Sequence, residues 1–409
     1  MQTHLADFIR DTPEGREAEA ILRKCVHCGF CTATCPTYQL LGDELDGPRG
    51  RIYLVKQVLE GQPVTAKTQL HLDRCLSCRS CETTCPSGVE YGRLADIGRH
   101  VVEQRVSRSP WDAVQRAALR KVIPSRTLFP FLLGVARAVR PLLPGALRHQ
   151  VPERRPATPW PAARHGRKML VLESCGQPEA SPNTNAAVAR VLDRLGVSLV
   201  AAPRAGCCGA VAYHLNAQDE GLDAMRANID AWWPHIEAGA EAIVVSASGC
   251  GALVKEYGHL LARDAAYATK AARVSELARD VAEIIAAEKP ALRQRLASCP
   301  ATGPVAFHPP CTLQHGMKLK GQVEALLADL GFTLTAVADS HMCCGSAGTY
   351  SILQSGLSRQ LLERKIAALE ARSPQEIVTA NIGCQLHLQA ATGLTVRHWI
   401  EALDERLAG

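Results

Sequence analysis

Two stretches near the start of the chain decide the fold of its first module. Residues 25–36 read CVHCGFCTATCP, and residues 75–86 read CLSCRSCETTCP. In both, three cysteines are separated by two residues each, and a fourth cysteine follows three residues later, directly before a proline. Because only 17 of the 409 residues are cysteine, two faultless copies of this pattern are not a chance event. The eight cysteines therefore serve a shared purpose.

The spacing of these cysteines is typical of [4Fe–4S] ligands. Three closely spaced thiolates bind one cluster, and in two-cluster ferredoxins the cysteine before proline serves the other cluster. Zinc also takes four thiolates, but it uses two separated pairs rather than this run. The sequence therefore predicts two [4Fe–4S] clusters with crossed ligand sets. Site 1 is Cys25, Cys28, Cys31 and Cys85, and site 2 is Cys75, Cys78, Cys81 and Cys35.

Eight of the other nine cysteines form two copies of one arrangement, and Cys299 is left over. The first-repeat set is Cys175, Cys207, Cys208 and Cys250, and the second-repeat set is Cys311, Cys343, Cys344 and Cys384. The first three members recur 136 residues later, and the fourth recurs two residues short of that spacing. Each set is a candidate for a further cluster. Thiol chemistry at the adjacent cysteine pairs, or simple packing of small buried residues, is the alternative.

Two histidines flank the second-repeat set. His308 stands three residues before Cys311, and His387 stands three residues after Cys384. Both are candidate cluster ligands, because histidine takes the place of cysteine at some clusters, where it raises the reduction potential. Histidines at such places more often support a ligand or lie at the surface.

Periodicity separates a helical module from two α/β repeats, which gives an α + α/β fold class. Apolar residues at helical spacing surround the two ferredoxin-type motifs, as in Ala18, Ile21 and Leu22. In each repeat, short apolar runs alternate with helical stretches, which favours mainly parallel strands. The predicted strands are 169–172, 197–201 and 243–245, then 305–307, 332–337 and 377–379. The cysteines fall near strand ends, where open α/β sheets bind ligands.

Composition divides the chain into four parts. We predict an α-helical two-cluster ferredoxin-type domain over 1–104, a basic proline-rich linker over 105–168, and α/β repeats over 169–300 and 301–409. The linker has 14 Lys and Arg against two acidic residues, so its net charge is +12 while the whole chain carries +6. Its prolines limit helices to short pieces. Such a segment suits an anionic lipid surface or an acidic partner face, or it is a solvated linker.

Several functions are excluded by what the sequence lacks. Aromatic residues make up only 4%, which argues against nucleic-acid binding. The first ten residues contain no apolar signal-peptide stretch, and the longest apolar run, 128–136, is too short to span a bilayer. We therefore expect an intracellular chain with only peripheral membrane contact. No glycine-rich dinucleotide or phosphate loop is present, so another subunit must perform the two-electron chemistry.

Four stretches carry a resemblance to a known family: residues 25–31 (CVHCGFC), 41–51 (LGDELDGPRGR), 205–210 (AGCCGA) and 341–350 (HMCCGSAGTY). They resemble the iron–sulfur subunits of glycolate oxidase (glycolate dehydrogenase). The repeats resemble the cysteine-rich CCG domains of heterodisulfide reductase and of the iron–sulfur subunits of lactate and anaerobic glycerol-3-phosphate dehydrogenases.

The resemblance implies that FAD-containing partner subunits oxidise glycolate to glyoxylate. This chain then passes the electrons to a quinone or another acceptor, at the cytoplasmic side of the inner membrane. The eight cysteines of sites 1 and 2 are the implied cluster ligands. The fuller CCG pattern ends in two cysteines three residues apart, but here Leu253 and His387 replace the second of them. A five-cysteine site of the heterodisulfide reductase kind is therefore not expected, and the runner-up function is thiol or disulfide chemistry at the repeats.

Overall fold

The computed structural model describes residues 1–144, 148–296 and 303–408, so Cys299 lies outside the described residues. The first 105 residues are helical, as predicted. Their helices are α1 (Asp7–Arg10), α2 (Pro13–Lys24), α3 (Pro36–Leu41), α4 (Pro48–Leu59), α5 (Ala66–Asp73), α6 (Ser80–Thr84) and α7 (Tyr91–Arg105). Pro13, Pro36 and Pro48 each occupy the first position of a helix, where a missing N–H costs no hydrogen bond.

The core of this N-terminal module lies between α2, α4 and α7. Leu22, Val55, Leu59 and Leu94 are fully buried there. Helices α4 and α7 approach each other closely at Gly98, where a Cβ atom would stand 2.4 Å from Val55 Cγ2. The packed helices hold the two cysteine motifs between them, one after α2 and one after α5.

The basic segment forms two helices, α8 (Pro110–Val122) and α9 (Leu128–Val139), and a 3₁₀ turn at Arg140–Leu142. Pro110 begins α8, and Pro130 lies in the first turn of α9, where a backbone N–H would have no acceptor within the helix. Several arginines act within the chain. Arg108 pairs with Asp73 at 2.7 Å, and Arg137 donates to the Glu179 carbonyl at 3.0 Å. Among the described helices, none has both the length and the apolar run needed to cross a bilayer.

The first repeat contains a parallel four-stranded sheet in the order β2-β1-β3-β4. Its strands are β1 (Arg167–Val171), β2 (Val197–Ala201), β3 (Ile243–Val245) and β4 (Ala278–Asp280). Its helices are α10 (Gln177–Ala180), α11 (Asn183–Arg194), α12 (Ala210–His214), α13 (Gln218–Glu237), α14 (Ser248–Val254), α15 (Tyr257–Leu260), α16 (Ala268–Leu277), α17 (Val281–Ala287) and α18 (Lys289–Leu296). The three predicted strands are present, whereas β4, with the sequence ARD, has no apolar run that would predict it.

The second repeat contains a parallel sheet in the order β5-β6-β7. Its strands are β5 (Val305–His308), β6 (Glu376–Thr379) and β7 (Thr395–His398). Its helices are α19 (Gln322–Asp329), α20 (Tyr350–Leu353), α21 (Ser355–Glu370), α22 (Ile382–Gln389) and α23 (Trp399–Ala408), with a π-helical turn at Thr312–Gly316. The strand predicted at 332–337 is wrong, because this segment forms only one bridge, between Leu334 and Val305. Only Phe332 is buried in it, whereas β2 buries both Val197 and Leu199.

The two repeats share one apolar core. Trp399 and Leu403 of α23 are fully buried in the same cluster as Ala187 and Val191 of α11. Polar side chains also join the two repeats, since Glu401 of α23 accepts a hydrogen bond of 2.6 Å from Thr184 of α11. The repeats are therefore joined through the interior of the protein and not only through the connecting chain.

The N-terminal module contacts both repeats. Arg79 forms an ion pair with Glu256 of the first repeat. Thr83 Oγ1 lies 2.8 Å from His315 Nδ1, and Tyr350 donates a hydrogen bond of 3.1 Å to the Arg74 carbonyl. The contacts come from Arg79 and Thr83 within the second cysteine motif and from Arg74 directly before it, so that motif faces the interior of the protein.

Candidate iron–sulfur centres

Site 1 lies at the surface of the N-terminal module. Its four predicted members line one cavity of about 430 Å³, part of which is open to solvent. Cys25 is buried, Cys31 and Cys85 are half-buried, and Cys28 is exposed. The cysteine before Pro86 thus joins the three closely spaced cysteines of the other motif, as the crossed arrangement requires.

Site 2 lies deeper. Its four predicted members, Cys35, Cys75, Cys78 and Cys81, line a second cavity of about 410 Å³. All but Cys75 are buried. Cys81 lines both cavities, so the two sites share a wall. This adjacency suits transfer of an electron from one site to the other.

The backbone around the two cavities follows one design. The second residue after the first cysteine is left-handed in both motifs, with φ 58° at His27 and 52° at Ser77. The fourth is left-handed as well, with φ 84° at Gly29 and 58° at Arg79. Alternation of left- and right-handed residues turns successive N–H groups toward one concavity, as in many iron–sulfur sites. Ser77 N, for example, donates to Cys75 Sγ at 3.4 Å. The donor set and the backbone therefore fit a [4Fe–4S] cluster at each site.

Two buried arginines supply positive charge beside site 2. Arg51 is 1% exposed and donates to the His71 carbonyl at 2.7 Å, while Arg99 donates to the Cys75 carbonyl at 2.7 Å. Burial acts to raise the pKa of Cys75, but these two guanidinium groups, together with hydrogen bonds from Ser77 N and Tyr91, outweigh it and lower the pKa below its ordinary value. Because iron binds the thiolate, the arginines favour the form of Cys75 that is needed.

Burial is the main influence on three other thiols of these sites. Burial raises the pKa values of Cys78 and Cys81 well above the ordinary value of a thiol. Burial, with the neighbouring Cys25, raises the pKa of Cys31 to about 11. Thiols of this kind lose their protons when a metal binds, so cluster insertion releases protons from both sites.

The first-repeat set comes together at the ends of β1 and β3 and in the loop after β2. Interaction with the thiols of Cys175 and Cys208 lowers the pKa of Cys207, and Cys250 lies next to Cys208. The Gly209 N–H donates to Cys207 Sγ at 3.4 Å. The four predicted members therefore lie side by side.

The second-repeat set repeats this arrangement. Cys311 Sγ lies 3.9 Å from Cys343 Sγ, and the Gly345 N–H donates to Cys343 Sγ at 3.4 Å, as Gly209 does in the first repeat. A ring nitrogen of His308 and the sulfurs of Cys344 and Cys384 all lie within 4.8 Å of one another. Burial lowers the pKa of His308 well below its usual value. His387 instead lies 3.2 Å from the Ser358 hydroxyl.

Site 2 and the second-repeat set are in contact. One buried apolar cluster contains Leu76 and Cys78 of the second cysteine motif together with Cys343 of the second repeat. Cys311 packs against this cluster. The three thiol sites thus form a continuous series through the protein, from the exposed Cys28 to the second-repeat set, of which all but Cys311 are buried.

The sequence reasoning missed the buried cations beside these sites. Arg51 lies on the apolar face of α4, four residues before the buried Val55, and Arg99 lies on α7 three residues before the buried Val102. A charged residue at a core position of an amphipathic helix was the available signal. In the second repeat, Lys365 is likewise buried and donates to the Asp339 carbonyl at 2.8 Å.

Comparisons with known proteins agree with this architecture. A family model described as a 4Fe-4S dicluster domain matches residues 21–89, and a cysteine-rich domain model matches residues 169–255 and 305–389. The chain is 59% identical to the glycolate oxidase iron–sulfur subunit of Escherichia coli K12, with 100% of this chain and 99% of the relative aligned. These matches confirm the predicted [4Fe–4S] clusters and the two CCG repeats.

Two further relatives are more distant. A probable glycolate oxidase iron–sulfur subunit of Bacillus subtilis is 28% identical over 91% of this chain and 90% of the relative. Lactate utilization protein A of Bacillus pumilus is 26% identical over 58% of this chain and 100% of its own length. Because the alignment with the E. coli protein spans the whole chain at high identity, this chain belongs to the family of glycolate oxidase iron–sulfur subunits.

Proposed function

We propose that this chain carries electrons from a flavoprotein partner, which holds the FAD and oxidises glycolate to glyoxylate, to a quinone or another membrane acceptor. The observation that carries the proposal is the series of adjoining thiol sites in a chain similar over its full length to a glycolate oxidase iron–sulfur subunit. In this proposal the cysteines of sites 1 and 2 are the cluster ligands, and each repeat set is a candidate for a further centre.

The geometry supports entry of electrons at site 1. Cys28 is the one exposed cysteine among those that the structure describes. Val26 and Phe30 beside it are 69% and 62% exposed, which leaves an apolar rim around the thiol. Exposed apolar patches mark interaction surfaces. The flavoprotein partner docks on this rim, and site 2 then receives the electron across the wall that contains Cys81.

The electron count fits a relay of this kind. Oxidation of glycolate to glyoxylate releases two electrons and two protons. An iron–sulfur cluster exchanges one electron at a time, so the pair leaves the flavin as two single electrons. The residues of this chain hold the centres in sequence and exclude water from site 2. A quinone acceptor takes up both electrons, together with two protons.

Two runner-up functions have less support. A lactate or glycerol-3-phosphate complex is the first, but lactate utilization protein A of Bacillus pumilus aligns with only 58% of this chain. A thiol or disulfide oxidoreductase at the repeats is the second. Cys208, Cys343 and Cys344 are buried, so a disulfide substrate would not reach the adjacent pairs without rearrangement of the protein.

Anaerobic reduction of the purified complex tests the proposal. We expect glycolate to bleach the cluster absorbance of the complex, and to do so faster than lactate or glycerol 3-phosphate. The isolated chain should stay oxidised with glycolate. Two cubanes correspond to about eight irons per chain, and a third centre would raise this to about twelve.

Three outcomes would contradict the proposal. Faster reduction by another substrate would favour a sister complex. Reduction of the isolated chain by glycolate would place substrate oxidation on this chain. Disulfide reduction by the isolated chain would favour the thiol function.

The membrane contact is proposed for the basic segment 105–168, which would bring the chain to the cytoplasmic side of the inner membrane. Helix α9 is apolar on two faces. Leu133 is buried, and Phe129 lies against Gly176 of the first repeat, so one face packs on the protein. The outward-facing apolar residues are Leu128, Phe131, Leu132, Val135, Val139 and, in the following turn, Leu142. A helix that is apolar all round is normally covered on every side.

We call these outward-facing apolar residues the apolar stripe of α9. The charge of the basic segment favours an anionic lipid surface as the partner that covers this stripe. The segment carries a net charge of +12. Lys121, Arg148 and Arg154 are exposed and pair with no acidic group among the described residues. Basic residues beside an apolar helix face are typical of helices that lie in the membrane interface. Each Lys or Arg near an anionic surface contributes about 1 kcal/mol.

Vesicle binding tests this contact. Replacing Phe131 and Leu132 together by glutamine should weaken binding to vesicles of equal parts phosphatidylglycerol and phosphatidylcholine by at least about tenfold, since burial of each side chain contributes about 1.5–3 kcal/mol. The matched control is Ile352→Gln, which alters an exposed apolar residue of the second repeat. Unchanged vesicle binding in the double variant would contradict the contact. Loss of the flavoprotein partner with unchanged vesicle binding would show that the stripe is a protein interface.

A further inference from the structure

His308 occupies a chemically unusual position in the second repeat. It is the last residue of β5 and is 1% exposed. Its Nδ1 lies 3.0 Å from Thr379 Oγ1, whereas its Nε2 has no hydrogen-bond partner in the structure. A buried polar atom without a partner is costly, and a native protein has a reason to keep one.

The contacts of Thr379 determine which ring nitrogen carries the proton. The Thr379 hydroxyl donates its only hydrogen to the His308 carbonyl at 3.0 Å. The hydroxyl oxygen is therefore the acceptor toward the imidazole, and Nδ1 is the donor. Nε2 is then left with a free lone pair. Ligating histidines are commonly held in this way, with the second nitrogen donating to a fixed acceptor.

Two thiols stand close to this imidazole. A ring nitrogen of His308 and the sulfurs of Cys344 and Cys384 lie within 4.8 Å of one another, and all three residues are buried. Nδ1 is already engaged by Thr379, so Nε2 is the nitrogen available to a metal. The first repeat has no equivalent group, because Leu172 stands at the matching position three residues before Cys175.

We propose that His308 is a ligand of an iron–sulfur centre in the second repeat, together with thiolates of the second-repeat set. The inference rests on the proposed electron-transfer function. A histidine ligand would distinguish the two repeats, since among the described residues only the second repeat groups an imidazole with its thiols. An imidazole in place of a thiolate raises the potential of a cluster. A higher potential suits a centre that receives electrons from site 2.

The neighbours of this site favour an iron–sulfur centre over zinc. Imidazole and thiolate ligands suit both metals. However, Cys78 of site 2 lies in the same buried cluster as Cys343, so the second-repeat set adjoins an electron carrier. Zinc has no redox chemistry, so a zinc ion at the second-repeat set would not accept an electron from site 2.

The test combines metal analysis with spectroscopy on the anaerobically purified full chain. We expect the wild type to hold about twelve irons or more, and His308→Leu to lose about four of them with the spectrum of one centre. The spectra of sites 1 and 2 should be unchanged. His308→Cys should retain the iron and lower the midpoint potential of that centre. Thr379→Val should perturb the same centre, because it removes the acceptor that orients the ring.

His398→Asn is the matched control, because His398 is likewise a buried histidine at the end of a strand of the second repeat, but its Nε2 donates to the Ser246 carbonyl and its Nδ1 accepts from Ile400 N. The spectrum of this variant should equal that of the wild type. Full iron content and an unchanged spectrum in His308→Leu would overturn the proposal, as would zinc in place of iron. A wild type with only about eight irons would also overturn it. Glycolate-dependent reduction of sites 1 and 2 is measured separately, so failure of this inference is distinguishable from failure of the proposed function.

Discussion

Replacement of Cys35 by serine is expected to remove the cluster of site 2 and to leave that of site 1, even though Cys35 lies in the sequence motif of site 1. The reason is the crossed arrangement, in which Cys35 lines the cavity of Cys75, Cys78 and Cys81. Cys85→Ser should do the reverse. Each variant should lose about four irons and should interrupt electron transfer from the partner to the acceptor. Iron analysis and electron paramagnetic resonance of the purified chains check this result.

Two reference variants make the assignment unambiguous. Cys28→Ser and Cys78→Ser alter cysteines from the closely spaced part of each motif, so they identify the signals of site 1 and site 2. We expect the spectrum of Cys35→Ser to match that of Cys78→Ser, and the spectrum of Cys85→Ser to match that of Cys28→Ser. The opposite match would mean that each motif keeps all four of its own cysteines around one cluster.

The second large effect is expected at Asp46, a fully buried carboxylate of the N-terminal module. Asp46 lies 2.8 Å from Arg74, 3.1 Å from His71 Nδ1 and 3.4 Å from Arg51. Removing one partner of a buried ion pair leaves a charge without compensation and costs about 3–5 kcal/mol. We expect Asp46→Ala to lower the apparent free energy of unfolding of the cluster-loaded chain by about this amount, measured by anaerobic chemical denaturation.

The neighbouring surface ion pair is the control for this prediction. Glu44 and Arg49 lie 2.7 Å apart, and their side chains are 46% and 35% exposed. Because exposed pairs contribute about 0–1 kcal/mol, Glu44→Gln should hardly change the denaturation midpoint. Equal midpoints for the two variants would refute the role of Asp46. Arg51 also stands beside Cys75, so loss of site 2 iron at lower denaturant concentrations should accompany the Asp46→Ala change.

The sequence predicted those features that depend on local spacing. The two cysteine motifs, the helices around them and the alternation of strands and helices follow from residues close together in the chain. The repeat was visible because Cys207 and Cys208 recur as Cys343 and Cys344. These features need no knowledge of how distant segments meet.

Features that depend on distant contacts were not predictable in this way. Asp46 looks like an ordinary turn residue until the fold brings Arg74 and His71 to it. The net positive charge of the basic segment was evident from the sequence. Which of its arginines bind groups within the chain, and which face solvent, was not. Arg137 and Arg140 bind carbonyl groups within the chain, whereas Arg148 points to solvent. The contact of Cys78 with the second repeat also arises only from tertiary packing.

The apolar core shared by the two repeats has a consequence for synthesis of the protein. Helix α11 of the first repeat completes its core with α23, which lies more than two hundred residues later in the chain. During translation, the first repeat leaves the ribosome long before α23 exists, so apolar residues such as Val191 remain uncovered in the meantime. Uncovered apolar surface of this kind is prone to aggregation. The N-terminal module has its own core, but Cys78 of site 2 is covered only when the second repeat has been made, because it shares a buried cluster with Cys343.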